Sequence, residues 1–309
     1  MLACADCLVR GAVGLARIAG IPPLLIGLTV VAFGTSAPEF VTALAASLNG
    51  VPAMATGNIV GSNIANILLV LGVAAVMRPI VCTREIIGRD GVALLVSAAI
   101  FTGLAMMGDF TRPGALLLLA ALGCYLALTY RLERQARRSA SLHTLKAEEI
   151  TGLPEGPWAA MAMLAAGPFG IAFGAQLLVD GASQIAWALG IPDATIGLTL
   201  LAIGTSLPEL ATVIVASWRN HGDVALGNVL GSNIFNVLAI AGGVSMISPI
   251  AVTPEIARFD VWVMFACSLL LLPLMLSGRQ ISRREGALLL ILYAGYLGSQ
   301  VVMVKAPIA

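Results

Sequence analysis

Two short stretches place cation-binding groups inside otherwise apolar segments. The first is GTSAPE at 34–39, and the second is GTSLPE at 204–209. Each combines a glutamate with two hydroxyl residues, and its flanks are mostly apolar. An ionised carboxylate near the middle of a membrane costs about 2.5 kcal/mol or more, so packing does not explain these two glutamates.

The spacing within each motif puts its oxygen atoms on one side of a helix. Thr35 and Glu39 are four residues apart, and Ser36 lies three before Glu39, so the three side chains share a face. The glycine and proline of the motif weaken the helix and free backbone carbonyls, such as that of Ala32, for a cation. The other predicted ligands, in the next segment and in the second copy, are Ser62, Asn66, Ala202, Thr205, Ser206, Glu209, Ser232 and Asn236.

This set of donors indicates the kind of ion. All of them are hard oxygen ligands, which suit Ca²⁺ or Na⁺. None of these predicted ligands is a Cys or a His, which argues against zinc and copper. Arg10 is the only base predicted within a span, and Asp6 lies four residues before it. We therefore expect a transported cation to neutralise the two glutamates. For Asn58, Asn63, Asn228 and Asn233, helix-to-helix hydrogen bonding and ion contact are equally open.

Membrane-spanning helices have to position these groups. The 309 residues are 59% hydrophobic and 11% charged, with a mean hydropathy of +0.97, whereas a soluble domain has about a quarter charged residues. Runs of roughly 18 or more apolar residues, long enough for a helix to cross the hydrocarbon layer, recur along the chain. They predict an all-α membrane protein with ten transmembrane helices. The predicted spans are 1–20, 21–48, 53–77, 91–108, 113–131, 157–190, 192–216, 223–247, 259–277 and 285–304.

The two halves of the chain are copies of each other. When Gly27–Gly72 is laid on Gly197–Gly242, 22 of 46 positions are identical without a gap. Five spans per half is an odd number, so the second copy enters the membrane in the opposite direction, as in many secondary transporters. The predicted units are a first repeat at 1–131, a polar linker at 132–156 and a second repeat at 157–309.

The basic residues predict the orientation of the chain. If the linker is cytoplasmic, thirteen Lys and Arg residues fall inside and only Arg112, Arg258 and Lys305 fall outside, as the positive-inside rule requires. Both termini then face outward. Position 1 aligns with position 171, although the sixth span begins near 157, so we expect the first helix to lack about a dozen residues at its start.

At these motifs the sequence resembles the sodium/calcium exchanger branch of the calcium/cation antiporter superfamily. The resemblance rests on GTSAPE with GNIVGSNIAN and on GTSLPE with GNVLGSNIFN, and it covers nearly the whole chain. It implies a prokaryotic inner-membrane antiporter in which Glu39, Glu209, Thr35 and Thr205 hold Ca²⁺. It also implies exchange of three Na⁺ per Ca²⁺, with sodium sites formed by Ser36, Ser206, Ser62, Ser232, Asn66 and the carbonyls of Ala32 and Ala202.

One position departs from part of that family. Relatives often carry aspartate where this chain has Asn236, and both copies have Asn here, which leaves two carboxylates in the core. A proton-coupled antiporter that uses the same two glutamates is the alternative function. We expect Ca²⁺, Na⁺ and the lipid bilayer as partners, and no nucleic acid, obligate protein partner or resident cofactor.

Two rival classes of function fit the sequence less well. An intramembrane enzyme with Ser36 or Ser206 as nucleophile needs a nearby base. The only histidines and lysines are in loops or at the chain end: His143, His221, Lys146 and Lys305. A channel is disfavoured because two half-sites in one chain do not build a ring-shaped filter.

Overall fold

The computed structural model is an all-α membrane protein and describes residues 1–21, 23–50, 52–139, 154, 156–188 and 202–305. Among these residues, six helices are long and apolar enough to cross a membrane. The pair Gly27–Thr35 and Ala37–Leu48, bent by 47°, makes a seventh. The predicted spans at 1–20, 192–216 and 285–304 stay predictions, and the first part of 192–216 lies outside the described residues.

The helices of the first half are α1 to α9, with three π-helical turns between them. Their bounds are α1 Leu2–Ala19, α2 Pro23–Ile26, α3 Ala32–Thr35, α4 Ala37–Leu48, α5 Pro52–Ala65, α6 Leu71–Met77, α7 Arg84–Ile86, α8 Val92–Met106 and α9 Arg112–Ser139. The π-helical turns are Gly27–Val31, Asn66–Val70 and Ile87–Gly91. Helix α9 continues beyond Arg131 to Ser139, into the segment predicted to be a linker.

The second half contains helices α10 to α16. Their bounds are α10 Pro157–Ala188, α11 Ala202–Thr205, α12 Leu207–Trp218, α13 Gly222–Phe235, α14 Ala241–Ile247, α15 Val261–Leu276 and α16 Arg283–Lys305. Two π-helical turns, Asn236–Ile240 and Ile256–Asp260, and a 3₁₀ turn, Ser277–Arg279, complete it. The bounds of α4 to α6 recur in α12 to α14 at the aligned positions of the repeat, because the two copies share their helix-breaking residues.

Short β contacts join the two halves at their loops. Strand β1, Ile80–Val81, pairs antiparallel with strand β2, Gln280–Ile281. A single bridge joins Phe110 to Ile250, the residues that correspond to Gln280 and Ile80 in the other copy. Each pairing therefore connects two loops that the charge distribution predicts to lie on the same side of the membrane.

Helices α5 and α13 form the centre of the bundle. Within an 18-residue apolar stretch of each span, 94% of the stretch is buried in Gly222–Ile247 and 78% in Met54–Met77, but only 22% in Arg112–Leu132. In α13 every residue from Val224 to Phe235 is buried. The peripheral helices instead expose large apolar side chains, as contact with lipid requires. Asparagines and serines on α5 and α13 are thus enclosed by protein rather than lipid.

Small residues let α1 lie close against α10. A Cβ atom on Gly11 would be 2.8 Å from the backbone nitrogen of Leu164, and one on Gly167 would be 2.6 Å from Cβ of Leu8. A Cβ atom on Gly174 would likewise be 3.1 Å from the backbone nitrogen of Met1. Glycine at such positions allows two membrane helices to approach closely. The two helices therefore pack as an antiparallel pair.

A buried ion pair anchors the start of the Arg84–Met106 span. The Asp90 side chain is fully buried and accepts two hydrogen bonds from Arg89, both at 2.8 Å. The hydroxyl of Tyr125 in α9 donates a third at 3.2 Å. This network satisfies a carboxylate that would otherwise be buried without a partner.

Removing the Tyr125 hydroxyl is expected to destabilise the protein moderately. In Tyr125→Phe, Asp90 keeps Arg89 but loses one charge-assisted hydrogen bond, a loss of about 2 kcal/mol. We expect the midpoint of thermal unfolding in detergent to fall by roughly 5 °C. Tyr130→Phe is the matched control, because Tyr130 lies on the same helix and is exposed. Equal midpoints for both variants would contradict the proposed role of Tyr125.

Candidate cation-binding site

The two motifs adopt the same broken-helix geometry. Ser36 separates α3 from α4 with φ −87° and ψ 3°, and Ser206 separates α11 from α12 with φ −87° and ψ 1°. A proline follows each serine by two residues and lies in the first helical turn, where its missing N–H is not needed. The break places Glu39 and Glu209 in the first turn of α4 and α12, where the positive end of the helix dipole favours a carboxylate.

The two glutamates face each other in the centre of the protein. Glu39 is 1% exposed and Glu209 is 0% exposed, and their carboxyl groups lie close enough to repel each other. The Ser36 hydroxyl donates a hydrogen bond to Oε1 of Glu209 at 3.1 Å. Both oxygens of Glu39 and Oε2 of Glu209 lack a hydrogen-bond donor among the described residues. Three carboxylate oxygens are therefore free to bind a cation.

A hydroxyl of the first motif connects to the second repeat. Thr35 is buried, and its hydroxyl donates to Oδ1 of Asn228 at 3.1 Å and lies 3.5 Å from the hydroxyl of Ser232. It also lies 3.3 Å from the carbonyl of Ala32, which is itself fully buried. Asn58, in the first repeat, donates from Nδ2 to the backbone carbonyl of Glu39 at 3.3 Å. Asn58 and Asn228 thus make helix-to-helix contacts around the glutamates.

Two asparagines add further oxygen donors without adding charge. Asn66 and Asn236 are fully buried, and neither atom of either amide has a partner in the part of the chain that the structure describes. Each begins a π-helical turn, a feature that is frequent at functional sites. The turn at Asn66 packs against α12, and the turn at Asn236 packs against α4. Each asparagine therefore lies on a turn that contacts the glutamate helix of the other half.

The remaining predicted ligands divide into buried and accessible groups. Ser62 and Ser206 are buried, and their hydroxyls have no partner among the described residues. Thr205, unlike Thr35, is only half-buried and lines a cavity of about 100 Å³. The cavity is also lined by Pro38, Pro208 and Gln176 of α10. Ala202 begins α11, but its surroundings lie outside the described residues.

No basic side chain among the described residues forms an ion pair with either glutamate. Arg10 pairs with Asp6 at 2.9 Å, as their spacing predicts. Asp6 also pairs with Arg219, at the end of α12. No local sequence pattern predicts this second pair, because Asp6 and Arg219 are 213 residues apart.

Comparisons with known proteins agree with this geometry. Residues 1–131 and 159–302 match the family described as sodium/calcium exchanger protein. The chain is 39% identical over 297 residues to the putative antiporter CaxA of Alkalimonas amylolytica, covering 94% of this chain and 92% of that protein. It is 33% identical over 326 residues to the sodium/calcium exchanger MaX1 of Methanosarcina acetivorans, covering 94% and 93%.

The fold is similar to that of a solved exchanger. The sodium-calcium exchanger NCX_Mj, in a crystal soaked with zero Na⁺ and Ca²⁺, superposes with a TM-score of 0.81 at 32% identity. The match covers 96% of this chain and 94% of that chain. Similarity therefore extends over more than nine tenths of this chain and of each of these proteins, in sequence and in structure.

Proposed function

Because the chain belongs to the sodium/calcium exchanger family, whose members are membrane transporters and not enzymes, we propose that it exchanges Na⁺ for Ca²⁺ by alternating access. The observation that carries the proposal is the facing pair Glu39 and Glu209, buried together without a basic partner among the described residues. Two adjacent carboxylates repel each other in a low-dielectric interior unless cations or protons neutralise them. A pair of this kind suits a transport site that is stable only when it holds cations or protons.

The surrounding oxygens complete a set of ligands suited to both ions. In this proposal Ca²⁺ lies between the glutamates with Thr35 and Thr205, since Ca²⁺ takes six to eight oxygen ligands. Sodium ions occupy positions formed by hydroxyl, amide and carbonyl oxygens: Ser36, Ser62, Ser206, Ser232, Asn66, Asn236, Ala32 and Ala202. Either the Ca²⁺ ion or the Na⁺ ions neutralise the two glutamates, so the site does not hold both kinds of ion at the same time.

The architecture supports movement around a fixed central site. We propose ten transmembrane helices arranged as two inverted five-helix repeats in the prokaryotic inner membrane. The recurrence of helix bounds in the second copy and the two loop pairings support this arrangement. Inverted repeats allow one bundle to rock against the other and expose the site alternately to each side. In this proposal the linker lies in the cytoplasm and both termini face outward.

The cavity beside Thr205 fits an entry route for the ions. It reaches Thr205 and Pro208, next to Glu209, whereas the corresponding Thr35 is buried and hydrogen-bonded. The cavity lies against the half of α10 that contains Gln176. In the proposed topology this half of α10 leads to the outer face.

The direct test is a flux measurement in proteoliposomes. Vesicles loaded with Na⁺ and diluted into sodium-free medium with Ca²⁺ are expected to accumulate calcium, and vesicles loaded with choline are not. Uptake driven only by a pH gradient would make protons the coupling ion, with both glutamates carrying them. Failure of every gradient to drive calcium uptake would refute the proposed function.

The hydrogen bond from Ser36 to Glu209 predicts unequal effects of the two motif serines. Ser36→Ala removes a charge-assisted hydrogen bond and is expected to raise the Ca²⁺ concentration for half-maximal self-exchange about tenfold. Ser206→Ala is the matched variant, because the Ser206 hydroxyl has no hydrogen-bond partner in the described part of the chain. Self-exchange of radioactive calcium without Na⁺ measures both. A larger effect of Ser206→Ala would contradict this prediction.

A further inference from the structure

The packing beside the two motifs is open in one copy and closed in the other. The cavity of about 100 Å³ lies between α10 and α4, and its lining includes Thr42, Gln176, Val179 and Thr205. In the repeat alignment, which lays Gly27 on Gly197, these residues correspond to Thr212, Asp6, Val9 and Thr35. Thr212, Val9 and Thr35 are at most 1% exposed, and α1 packs against α12. The α10 side, between α10 and α4, is therefore open, whereas the α1 side, between α1 and α12, is closed.

An ion pair joins the two helices of the closed side. Asp6 on α1 pairs through Oδ1 with Arg219, the residue that caps the C-terminal end of α12. Its other oxygen, Oδ2, pairs with Arg10 of the same helix at 2.9 Å. The side chains of Asp6 and Arg219 are each 27% exposed, so water screens their attraction only in part. Moving α1 away from α12 would separate these opposite charges.

The equivalent positions on the open side carry different groups. The repeat alignment relates Asp6, Arg10 and Arg219 to Gln176, Asp180 and Asn49. Gln176 donates a hydrogen bond to Asp180 of its own helix at 2.8 Å, and Asn49 is exposed at the end of α4. Because Gln176 and Asn49 are neutral, closing α10 onto α4 would form no ion pair between them. The two copies are thus alike in backbone but unequal in the charges that hold them closed.

From this inequality we propose that Asp6 and Arg219 form a latch, which keeps the α1 side closed and so favours the arrangement in which the α10 side is open. In a transporter built from inverted repeats, alternating access moves one bundle against the other. Because the two copies are equivalent, the second arrangement opens the α1 side and closes the α10 side. It requires Asp6 and Arg219 to separate. The inference rests on the proposed function, since it takes alternating access as the movement.

Cysteine labelling tests the latch by measuring both sides of the protein. In a background in which serine replaces the five native cysteines, Thr42→Cys reports on the α10 side and Thr212→Cys on the equivalent position of the α1 side. Each is labelled in proteoliposomes without Na⁺ or Ca²⁺ by methyl methanethiosulfonate, a small neutral thiol reagent that crosses membranes. Intact mass spectrometry gives the labelling rates. The ratio of the Thr42→Cys rate to the Thr212→Cys rate follows the populations of the two arrangements.

Removing the latch is expected to lower this ratio about fivefold, the effect of one partly exposed ion pair. Asp6→Asn removes the carboxylate that lies between Arg10 and Arg219, so the α1 side opens more often. Arg219→Gln makes the same test from the other partner and replaces Asp6→Asn if that variant does not fold. Arg17→Gln is the matched control, because it neutralises an exposed base on the same helix, and its ratio should equal that of wild type. An unchanged ratio in the latch variant would overturn the inference.

Moving the charges to the other copy separates a latch from local loosening of α1. Gln176→Asp, Asp180→Arg and Asn49→Arg, combined with Asp6→Asn, place the ion pair on the α10 side. The ratio of rates is expected to fall more than about tenfold, because the two changes act in the same direction. The Thr42→Cys rate itself should also fall. Loosening of α1 would not slow labelling at Thr42→Cys, so an unchanged or faster rate there would overturn the inference.

Failure of the latch and failure of the proposed function give different results. Labelling requires no net transport, so unchanged labelling ratios beside sodium-driven calcium uptake would reject the latch alone. Absence of calcium uptake at every sodium or proton gradient would instead refute the proposed function, whatever the labelling ratios are.

Discussion

Replacing Glu39 or Glu209 by glutamine is expected to reduce calcium uptake by at least about 100-fold. Each carboxylate interacts with a divalent cation at short range, and one pair of unit charges about 4 Å apart is worth about 4 kcal/mol at an effective dielectric constant of 20. Glutamine keeps the size of the side chain but removes its charge. The variants should therefore lose calcium binding while they retain the shape of the site.

Thermal unfolding separates loss of binding from loss of folding. Two adjacent buried carboxylates are unfavourable unless a cation or a proton neutralises them, so Glu39→Gln and Glu209→Gln should unfold at the same temperature as wild type in chelator, or higher. Added Ca²⁺ should raise the midpoint of wild type but not of the variants, because a ligand stabilises only the state that binds it.

An exposed glutamate serves as the matched control for these variants. Glu255 lies at the start of the Ile256–Arg279 span and is exposed. Glu255→Gln is expected to transport calcium as wild type does and to keep its stabilisation by Ca²⁺. Full calcium uptake by both Glu39→Gln and Glu209→Gln would remove these residues from the transport site.

Gly231→Ala is expected to reduce transport by at least about tenfold and to lower the yield of folded protein. A Cβ atom on Gly231 would lie 2.4 Å from the carbonyl oxygen of Leu28 and 2.7 Å from Cβ of Ala32. Because the first of these atoms belongs to the backbone, the helix that contains Ala32 would have to move away from α13. Overpacking of this kind costs about 1–3 kcal/mol.

The displacement would act directly on the proposed site. Gly231 is next to Ser232, and one turn before it Asn228 accepts the hydrogen bond from Thr35 at 3.1 Å. A shift of about 1 Å in a positioned site can cost on the order of 100-fold in rate. Calcium uptake per folded molecule, quantified after size-exclusion chromatography, measures this effect separately from yield.

A glycine in open space provides the comparison. Gly103 in α8 is exposed, and no described atom lies within 4 Å of a Cβ placed there. Gly103→Ala should be neutral or slightly stabilising, because alanine favours a helix by about 1 kcal/mol over glycine. Equal transport by Gly103→Ala and Gly231→Ala would show that the close contact at Gly231 is not required.

The class of protein and the local shape of each motif could be predicted from the amino-acid sequence. Composition and the length of the apolar runs predicted an all-α membrane protein, because a helix is the way a single segment satisfies its backbone in lipid. Glycine and proline act locally, so GTSAPE and GTSLPE predicted a break, and both break at the serine with nearly identical backbone angles. The family resemblance of the motifs agreed with the later comparisons.

Which groups meet across the two copies depends on how the helices pack in three dimensions, and no local pattern predicts it. Ser36 hydrogen-bonds to Glu209, Thr35 to Asn228, and Asp6 to Arg219, although the members of each pair lie in different halves of the chain. These contacts depend on how closely helices approach one another, which the glycines at their crossing points permit but do not specify. The same packing buries Thr35 and leaves Thr205 beside a cavity, a difference that two nearly identical motifs cannot encode.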